Sequence, residues 1–151
     1  MVKKQRNKWI CEECRRKNEP DKKKCVYCNS PKRKTLAQLE KQLDTIFSIY
    51  IRERDKHRCV TCGAHASDAG HYISRSNRLL RWDEHNVNAQ CRRCNNFLSG
   101  NLSVYSMYIL NHYGEETLRE LHEKSRKTFK PSRAWLIEMI DKYKCLIDNL
   151  S

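Results

Sequence analysis

The sequence predicts an α+β fold in which short strands and cysteine clusters lie among amphipathic helices. Eight of the nine cysteines fall into four Cys-x-x-Cys pairs. Apolar residues recur every three or four positions in several stretches, which is the spacing of one face of an α-helix. Two short segments, 68–74 and 86–90, are predicted to be extended. These patterns indicate small cysteine-stapled modules within a helical frame.

The helical segments follow from apolar periodicity and from residues that start helices. Leu36 begins a stripe that continues through Tyr50, and Thr35 is a candidate cap before it. We predict helices over 35–56, from Arg92 or Asn95 onward, over 101–112 with a continuation in pieces to 127, and from Pro131-Ser132 onward. In the last helix, the position of Cys145 within the apolar pattern predicts a small buried residue.

The composition is strongly basic, and this narrows the class of partner. The 151 residues include 31 Lys or Arg and 18 Asp or Glu, a net charge of +13. The surplus is concentrated in residues 1–34, which favours a polyanion such as nucleic acid as the partner. No stretch approaches the roughly 20 apolar residues of a membrane span. No signal peptide is predicted, and we expect a cytoplasmic location, in a bacterial host if the protein comes from a phage.

The paired cysteines predict two metal sites. The pairs are Cys11/Cys14, Cys25/Cys28, Cys59/Cys62 and Cys91/Cys94. In a reducing compartment such pairs bind zinc rather than form disulfides, and four thiolates complete one tetrahedral site. We therefore predict two structural Zn²⁺ ions, one for the first two pairs and one for the last two. Gly63, directly after the third pair, permits a tight turn.

The charge distribution suggests three parts. The basic excess falls off after Ser30-Pro31, which marks a boundary. We predict a small zinc finger over 1–31, a connector with an amphipathic helix over 32–56, and a second zinc-containing domain with C-terminal helices over 57–151.

The first module has a definite spacing, W-x-C-x2-C-x3-N-x6-C-x2-C, that begins at Trp9. This resembles the RanBP-type zinc finger. The resemblance implies that Trp9 stacks on single-stranded nucleic acid, with Arg15, Arg16 and Asn18 as further contacts. Ubiquitin-binding members carry Thr-Phe where this chain has Arg15-Arg16, which disfavours that mode. In the alternative interpretation Trp9 only packs over the zinc-binding cysteine knuckle. Whether the finger recognises specific bases stays open.

The second module frames a His, an Asn and another Asn between and after its cysteine pairs. His71 and Asn86 lie in the 28 residues between Cys62 and Cys91, and Asn95 follows the last cysteine directly. This order resembles the HNH, or His-Me finger, nucleases, and the segment over 35–151 is similar to the phage NinG (Rap) recombination proteins. The resemblance implies a ββα-metal core pinned by a four-cysteine zinc and flanked by helices.

The resemblance also implies a role for each motif residue. His71 would be the general base, a role that a neutral imidazole suits near neutral pH. Asn86 would brace the loop that orients it. Asn95 would offer its amide oxygen to Mg²⁺ or a similar divalent cation, with Asn96 as the alternative ligand.

One position departs from the HNH pattern. Many HNH enzymes place a metal-binding Asp directly before the catalytic His, where this chain has Gly70. The nearest preceding acid is Asp68, two residues earlier: either Asp68 is the substitute metal ligand and reaches the cation through a different backbone course, or another group or water fills the position. The alternative that follows from this departure is a degenerate relative of the HNH nucleases that does not cleave DNA.

The predicted activity is metal-dependent hydrolysis of DNA. If the resemblance to NinG holds, the substrates are branched intermediates such as Holliday junctions and D-loops. Arg75, Arg78 and Arg81 are predicted to clamp the phosphate backbone. The alternatives are a non-catalytic zinc-dependent nucleic-acid-binding protein and a nicking nuclease of another HNH lineage. Cutting two arms of a junction needs two active sites, so a homodimer is predicted, with the 35–56 helix as a possible contact.

Overall fold

The computed structural model describes residues 8–150, and the chain divides into two compact units. The first unit ends at Thr35 and the second begins at Leu36. The predicted segment 32–56 is therefore shared between the two units. No helix within residues 8–150 combines the length and the apolar character needed to cross a membrane.

The first unit has very little apolar core. Its strands β1 (Trp9–Ile10) and β2 (Lys17–Asn18) pair antiparallel, with Trp9 opposite Asn18. Among its described residues only Cys11, Asn18 and Cys25 are buried. A unit with so little buried apolar surface depends on another source of stability, and a bound metal provides it in small cysteine-rich domains.

Over its described residues, 36–150, the second unit contains one hairpin and four α-helices. They are α1 (Leu36–Arg54), β3 (Asp68–His71), β4 (Val87–Gln90), α2 (Leu102–Tyr113), α3 (Glu115–Ser125) and α4 (Arg133–Asp148). With the sheet of the first unit, this confirms the mixed α and β composition. Where a helix was predicted to begin near Arg92 or Asn95, the structure has a five-residue π-helical turn, Arg93–Phe97. Gly114 separates α2 from α3 because its φ of +89° is outside the helical range.

The main core lies between α1, α4 and the hairpin. The predicted stripe of α1 is buried there except for Leu36, which is 45 % exposed, and the predicted stripe of α4 is buried at Leu136, Ile140 and Tyr143 and partly buried at Trp135, Met139 and Ile147. The buried residues are Leu39, Leu43, Phe47, Tyr50, Ile51, Trp82, Val87, Leu136, Ile140 and Tyr143. The prediction for Cys145 was wrong: it is exposed because it lies off the buried stripe of α4. Since α4 covers the apolar face of α1, that face is not free to contact a second copy.

The hairpin places its residues on two faces. The register pairs Asp68 with Gln90 and His71 with Val87. Because side chains alternate along a strand, Ala69 and His71 face α1, whereas Asp68 and Gly70 face the opposite side. There Tyr105 of α2 donates a hydrogen bond to the Gly70 carbonyl at 2.9 Å.

The outer edge of β4 makes hydrogen bonds to residues outside the hairpin. The Ala89 N–H donates to Asp55 Oδ2 at 2.7 Å, and the Val60 N–H donates to the Ala89 carbonyl at 2.9 Å. Within the described part of the chain, β3 pairs with no strand other than β4.

Candidate active site and metal clusters

The eight paired cysteines form two clusters, each of which could hold a metal ion. Within each cluster the sulfur atoms lie within 4.8 Å of one another. A tetrahedral zinc with Zn–S bonds of about 2.3 Å places sulfurs about 3.8 Å apart. The predicted grouping, first pair with second and third with fourth, is confirmed, and both clusters are consistent with zinc.

All four knuckles close with the same backbone hydrogen bond. The residue after each second cysteine donates its N–H to the carbonyl of the first cysteine, at 2.8–2.9 Å. After three knuckles that residue has a positive φ: 58° at Arg15, 60° at Asn29 and 76° at Gly63. After the fourth knuckle, Asn95 continues into the π-helical turn. This continuation places Asn95 beside the hairpin, where its side chain bonds Asp68.

The finger residues predicted to bind nucleic acid have different environments. Arg15 and Arg16 are exposed, and Lys32 Nζ lies 5.7 Å from the centre of the Trp9 ring. Asn18 is only 2 % exposed. It accepts from the Val26 N–H at 2.9 Å and donates to the Arg16 carbonyl at 3.1 Å. Asn18 therefore braces the finger from inside, and this placement does not support the prediction that it contacts nucleic acid.

In the described structure one ring nitrogen of His71 makes a hydrogen bond, and the other can accept a proton. Its Nε2 lies 3.0 Å from the carbonyl oxygen of Arg81. A carbonyl only accepts, so Nε2 carries the proton, and the neutral ring has its lone pair on Nδ1. Burial lowers the pKa of His71 below its ordinary value of 6.5, against the opposing effect of the Arg81 carbonyl. The ring is therefore held in the neutral, proton-accepting form near neutral pH.

A cavity of about 440 Å³ lies between α1 and the hairpin, with His71 in its wall. Three of the lining residues are cationic, namely Arg52, Arg75 and Arg81, and one, Asp44, is anionic. With His71 neutral, the side chains around this cavity carry an excess of positive charge. Such a lining suits a phosphate group.

The arginines after β3 are positioned by acids on α1. Asp44 accepts hydrogen bonds from Arg81 Nε at 2.9 Å, Arg75 Nη2 at 3.1 Å and Trp82 Nε1 at 3.0 Å. Arg78 pairs separately with Glu40 at 2.9 Å. The predicted clamps are thus fixed to α1, while Arg75 and Arg78 remain exposed.

Asn86 lies just before β4, and its side chain bonds the loop that follows His71. Its Oδ1 accepts from the Ile73 N–H at 2.8 Å, and its Nδ2 donates to the carbonyls of Ile73 and Leu80, both at 2.9 Å. The side chain is fully buried. It therefore fixes both ends of the loop between His71 and Arg81.

Replacing Asn86 by alanine is expected to lower the free energy of unfolding by about 2–4 kcal/mol, because buried backbone groups lose their partners. Urea denaturation measures this change. The matched control is Asn96→Ala, at an exposed position, which is expected to change the free energy of unfolding by less than about 0.5 kcal/mol. Equal effects of the two substitutions would contradict the bracing role.

The predicted metal ligands Asp68 and Asn95 lie together. Asn95 Nδ2 donates to Asp68 Oδ2 at 3.2 Å. Asn96, the alternative ligand, is exposed. Neither Asp68 nor Asn95 makes a hydrogen bond with His71 in the described structure, since strand alternation puts Asp68 on the other face of β3.

Sequence reasoning missed several residues of this region. Asp44, Ser48 and Arg52 line the cavity from α1. Their spacing of four residues was the available signal, because it places them on one helix face beside the apolar stripe. Gln90 was missed as well, and nothing in the local pattern distinguishes it.

Comparisons with known proteins now give the family. The family model described as Bacteriophage Lambda NinG protein matches residues 1–151. The chain belongs to the NinG family. Protein ninG of Escherichia phage 933W is 36% identical over 119 residues, which cover 74% of this chain and 59% of that protein. Protein ninG of Escherichia phage lambda is 34% identical over 119 residues, with 74% of this chain and 58% of that protein covered.

The alignment with other NinG proteins covers only part of the length of those proteins. Protein ninG of Salmonella phage P22 is 35% identical over 119 residues, again 74% of this chain and 59% of the relative. The chain thus spans less than two thirds of the length of these NinG relatives. No solved structure matches this NinG-family chain.

Proposed function

We propose that this chain is a metal-dependent endonuclease that hydrolyses phosphodiester bonds in branched DNA, such as Holliday junctions and D-loops. The observation that carries the proposal is the state of His71. Its Nε2 is bound by the Arg81 carbonyl at 3.0 Å, and the ring lines a cavity rich in arginine. A neutral imidazole beside an anion-binding cavity is suited to deprotonate water next to a phosphate.

In this proposal His71 is the general base, and the arginines bind the phosphate. His71 Nδ1 accepts a proton from the attacking water, and the imidazolium is oriented by the Arg81 carbonyl. Arg52 and Arg75 bind the phosphate oxygens and hold the scissile bond in line with the water. Because Asp44 already orients Arg75 and Arg81, less side-chain entropy is lost when the phosphate binds.

Asp68 and Asn95 are the residues that would hold a divalent cation. A carboxylate and an amide oxygen are hard ligands of the type that Mg²⁺ prefers. The Asn95 amide lies beside the Asp68 carboxylate, to which its Nδ2 donates, and a turn of that amide would present Oδ1 to the cation. When bound, such a cation stabilises negative charge on the phosphate and the leaving oxygen. Asp68 and His71 lie on opposite faces of β3, so in this proposal the scissile phosphate lies at the edge of this strand, between the cation ligands and the general base.

The N-terminal finger supplies a second DNA contact in this proposal. Arg15 and Arg16 are exposed, and Arg16 Cζ lies 4.8 Å from the centre of the Tyr27 ring, which is also exposed. A guanidinium over an aromatic ring forms a flat, cationic surface of the kind that binds single-stranded nucleic acid. With the overall charge of +13, this surface favours DNA with exposed single strands.

Phe97 is the residue best placed to select branched DNA. It is 79 % exposed in the turn that carries Asn95, and its neighbours Arg92 and Arg93 are exposed as well. An exposed apolar ring flanked by cations can insert between bases where stacking is already interrupted. A branch point provides such a gap, whereas a continuous duplex does not.

Replacing Phe97 by alanine is expected to weaken binding to a four-way junction about tenfold, since stacking of one base is worth about 1–3 kcal/mol. Binding to a linear duplex of the same length should change little. Fluorescence anisotropy with both DNAs measures the ratio. Ile137→Ala, an exposed apolar position on α4, is the control. An equal loss on both DNAs would contradict selection by Phe97.

The proposed function is tested by incubating the zinc-loaded chain with labelled linear, single-stranded and four-way DNA, with and without Mg²⁺. Cation-dependent cutting of the branched substrate is the expected result. Tight binding without cutting under any divalent cation would instead support the non-catalytic, nucleic-acid-binding alternative. Sedimentation of the chain on a junction tests the predicted homodimer.

A further inference from the structure

Gln90, at the end of β4, has a buried side chain with one satisfied and one unsatisfied polar atom. The residue is fully buried. Its Nε2 donates to the Gly100 carbonyl at 2.8 Å and to Thr61 Oγ1 at 3.3 Å. These two acceptors fix the orientation of the amide, so the other atom is the oxygen. In the described structure Oε1 has no hydrogen-bond partner, which is costly for a buried carbonyl.

The unsatisfied oxygen occupies the space that a side chain at position 70 would fill. A Cβ atom added to Gly70 would lie 2.0 Å from Gln90 Oε1 and 2.7 Å from Cδ. A carboxylate oxygen of an aspartate lies two bonds beyond Cβ, at a similar distance. Gly70 has no side chain, and the side-chain oxygen of Gln90, from the neighbouring strand, fills the position that a Cβ at residue 70 would occupy.

This oxygen lies on the same face as the two candidate cation ligands. Asp68 is the direct register partner of Gln90, and strand alternation keeps Asp68, Gly70 and Gln90 on one face. Asn95 joins this face through its hydrogen bond to Asp68 at 3.2 Å. One carboxylate and two amide oxygens form a donor set for a hard divalent cation.

We propose that the side-chain carbonyl of Gln90 completes, with Asp68 and Asn95, a binding site for a Mg²⁺-class cation. This inference rests on the proposed function, because it names the third ligand of that site. Gly70 is then required because any side chain there would displace the Gln90 amide. Thr61 and Gly100 act as positioning residues that aim the oxygen.

The test measures binding of Mn²⁺ alone to the zinc-loaded full chain, by the electron paramagnetic resonance signal of free Mn²⁺. Gln90→Ala is expected to weaken binding about ten- to a hundredfold, the loss seen when even the outer partners of a metal ligand are removed. Asn111→Ala, which removes an exposed amide on α2 outside the proposed site, is the matched control and should bind Mn²⁺ within about threefold of wild type.

A double substitution separates loss of the ligand from loss of structure. Gly70→Asp alone collides with Gln90 and should not improve binding. Gly70→Asp combined with Gln90→Ala gives the carboxylate the vacated space, and most of the Mn²⁺ affinity should return even though the Gly100 bond is still missing. Unchanged Mn²⁺ affinity in zinc-loaded Gln90→Ala would overturn the proposal, as would a double variant no better than Gln90→Ala.

Wild-type protein provides a measurement that does not depend on any variant. Substoichiometric Mn²⁺ should broaden the side-chain amide NMR signals of Gln90 and Asn95 before those of Asn88, which Tyr105 and Tyr113 hold by hydrogen bonds. Uniform broadening would reject the site. If Gln90 binds Mn²⁺ but no DNA is cut, only the proposed function fails. If DNA is cut and Gln90→Ala binds Mn²⁺ normally, only this inference fails.

Discussion

Replacing His71 by alanine is expected to reduce cation-dependent DNA cleavage about 10²- to 10⁴-fold, the usual contribution of a general base. Binding to the junction should be nearly unchanged, because Arg52, Arg75 and Arg81 remain in the cavity wall. Single-turnover cleavage with saturating protein measures the chemical step separately from binding. His112→Ala, at an exposed position on α2, is the control and should cleave normally.

The pH dependence provides a second readout of the same residue. Burial lowers the pKa of His71 below 6.5, so the ring stays neutral to a lower pH than an exposed histidine. The charges that face it are Asp44 on α1 and Arg75 and Arg81 on the loop. The cleavage rate is expected to fall only below that ordinary value, as the ring becomes protonated. A wild-type profile without this acid limb, or the same limb in His71→Ala, would remove His71 from the mechanism.

Removal of metal from the cysteine clusters is expected to unfold the first unit and leave the helical core of the second intact. Structural zinc contributes about 10–16 kcal/mol to the folding of small fingers. The first unit has little else, since Cys11, Asn18 and Cys25 are its only buried residues within the described range. The core between α1 and α4 does not include a cysteine. Amide hydrogen exchange before and after chelation measures both units in one sample.

A single serine substitution tests the same expectation at one site. Cys25→Ser should lower the zinc content from two ions to one per chain and give residues 8–35 the exchange rates of an unfolded peptide. Cys145→Ser is the matched control, because this cysteine is exposed and lies outside both clusters. Retention of two ions in Cys25→Ser, or slow exchange of the finger without metal, would contradict the prediction.

Local patterns in the sequence were sufficient for the helices, for the two strands of the second unit and for the grouping of the cysteines, but not for β1 and β2. Cysteine spacing predicted both groups of four, and apolar periodicity predicted α1 and the buried face of α4. The family is shown by comparison with NinG proteins. The strands were predicted at nearly the right positions, although the first ends at His71 rather than at residue 74. The loop beyond His71 does not extend the strand because Asn86 binds its backbone instead.

Contacts between distant side chains could not be read from such patterns. The bond between Arg81 and Asp44 joins residues 37 positions apart, and neither has a neighbour in sequence that implies the other. The burial of Asn18 depends likewise on a fold that closes around the second knuckle. Gln90 can be recognised as a candidate ligand only when its packing against Gly70 is known. A glycine next to a histidine in the sequence does not indicate which residue of the other strand lies beside it.

The spacing of the two cysteine clusters has a consequence during protein synthesis. The first cluster is complete once residue 28 has left the ribosome, whereas the second must wait for Cys94. Until then Cys59 and Cys62 are half of a site, and the strand that carries His71 has no partner. A nascent chain could therefore complete its first cysteine cluster well before the second cluster and the hairpin assemble.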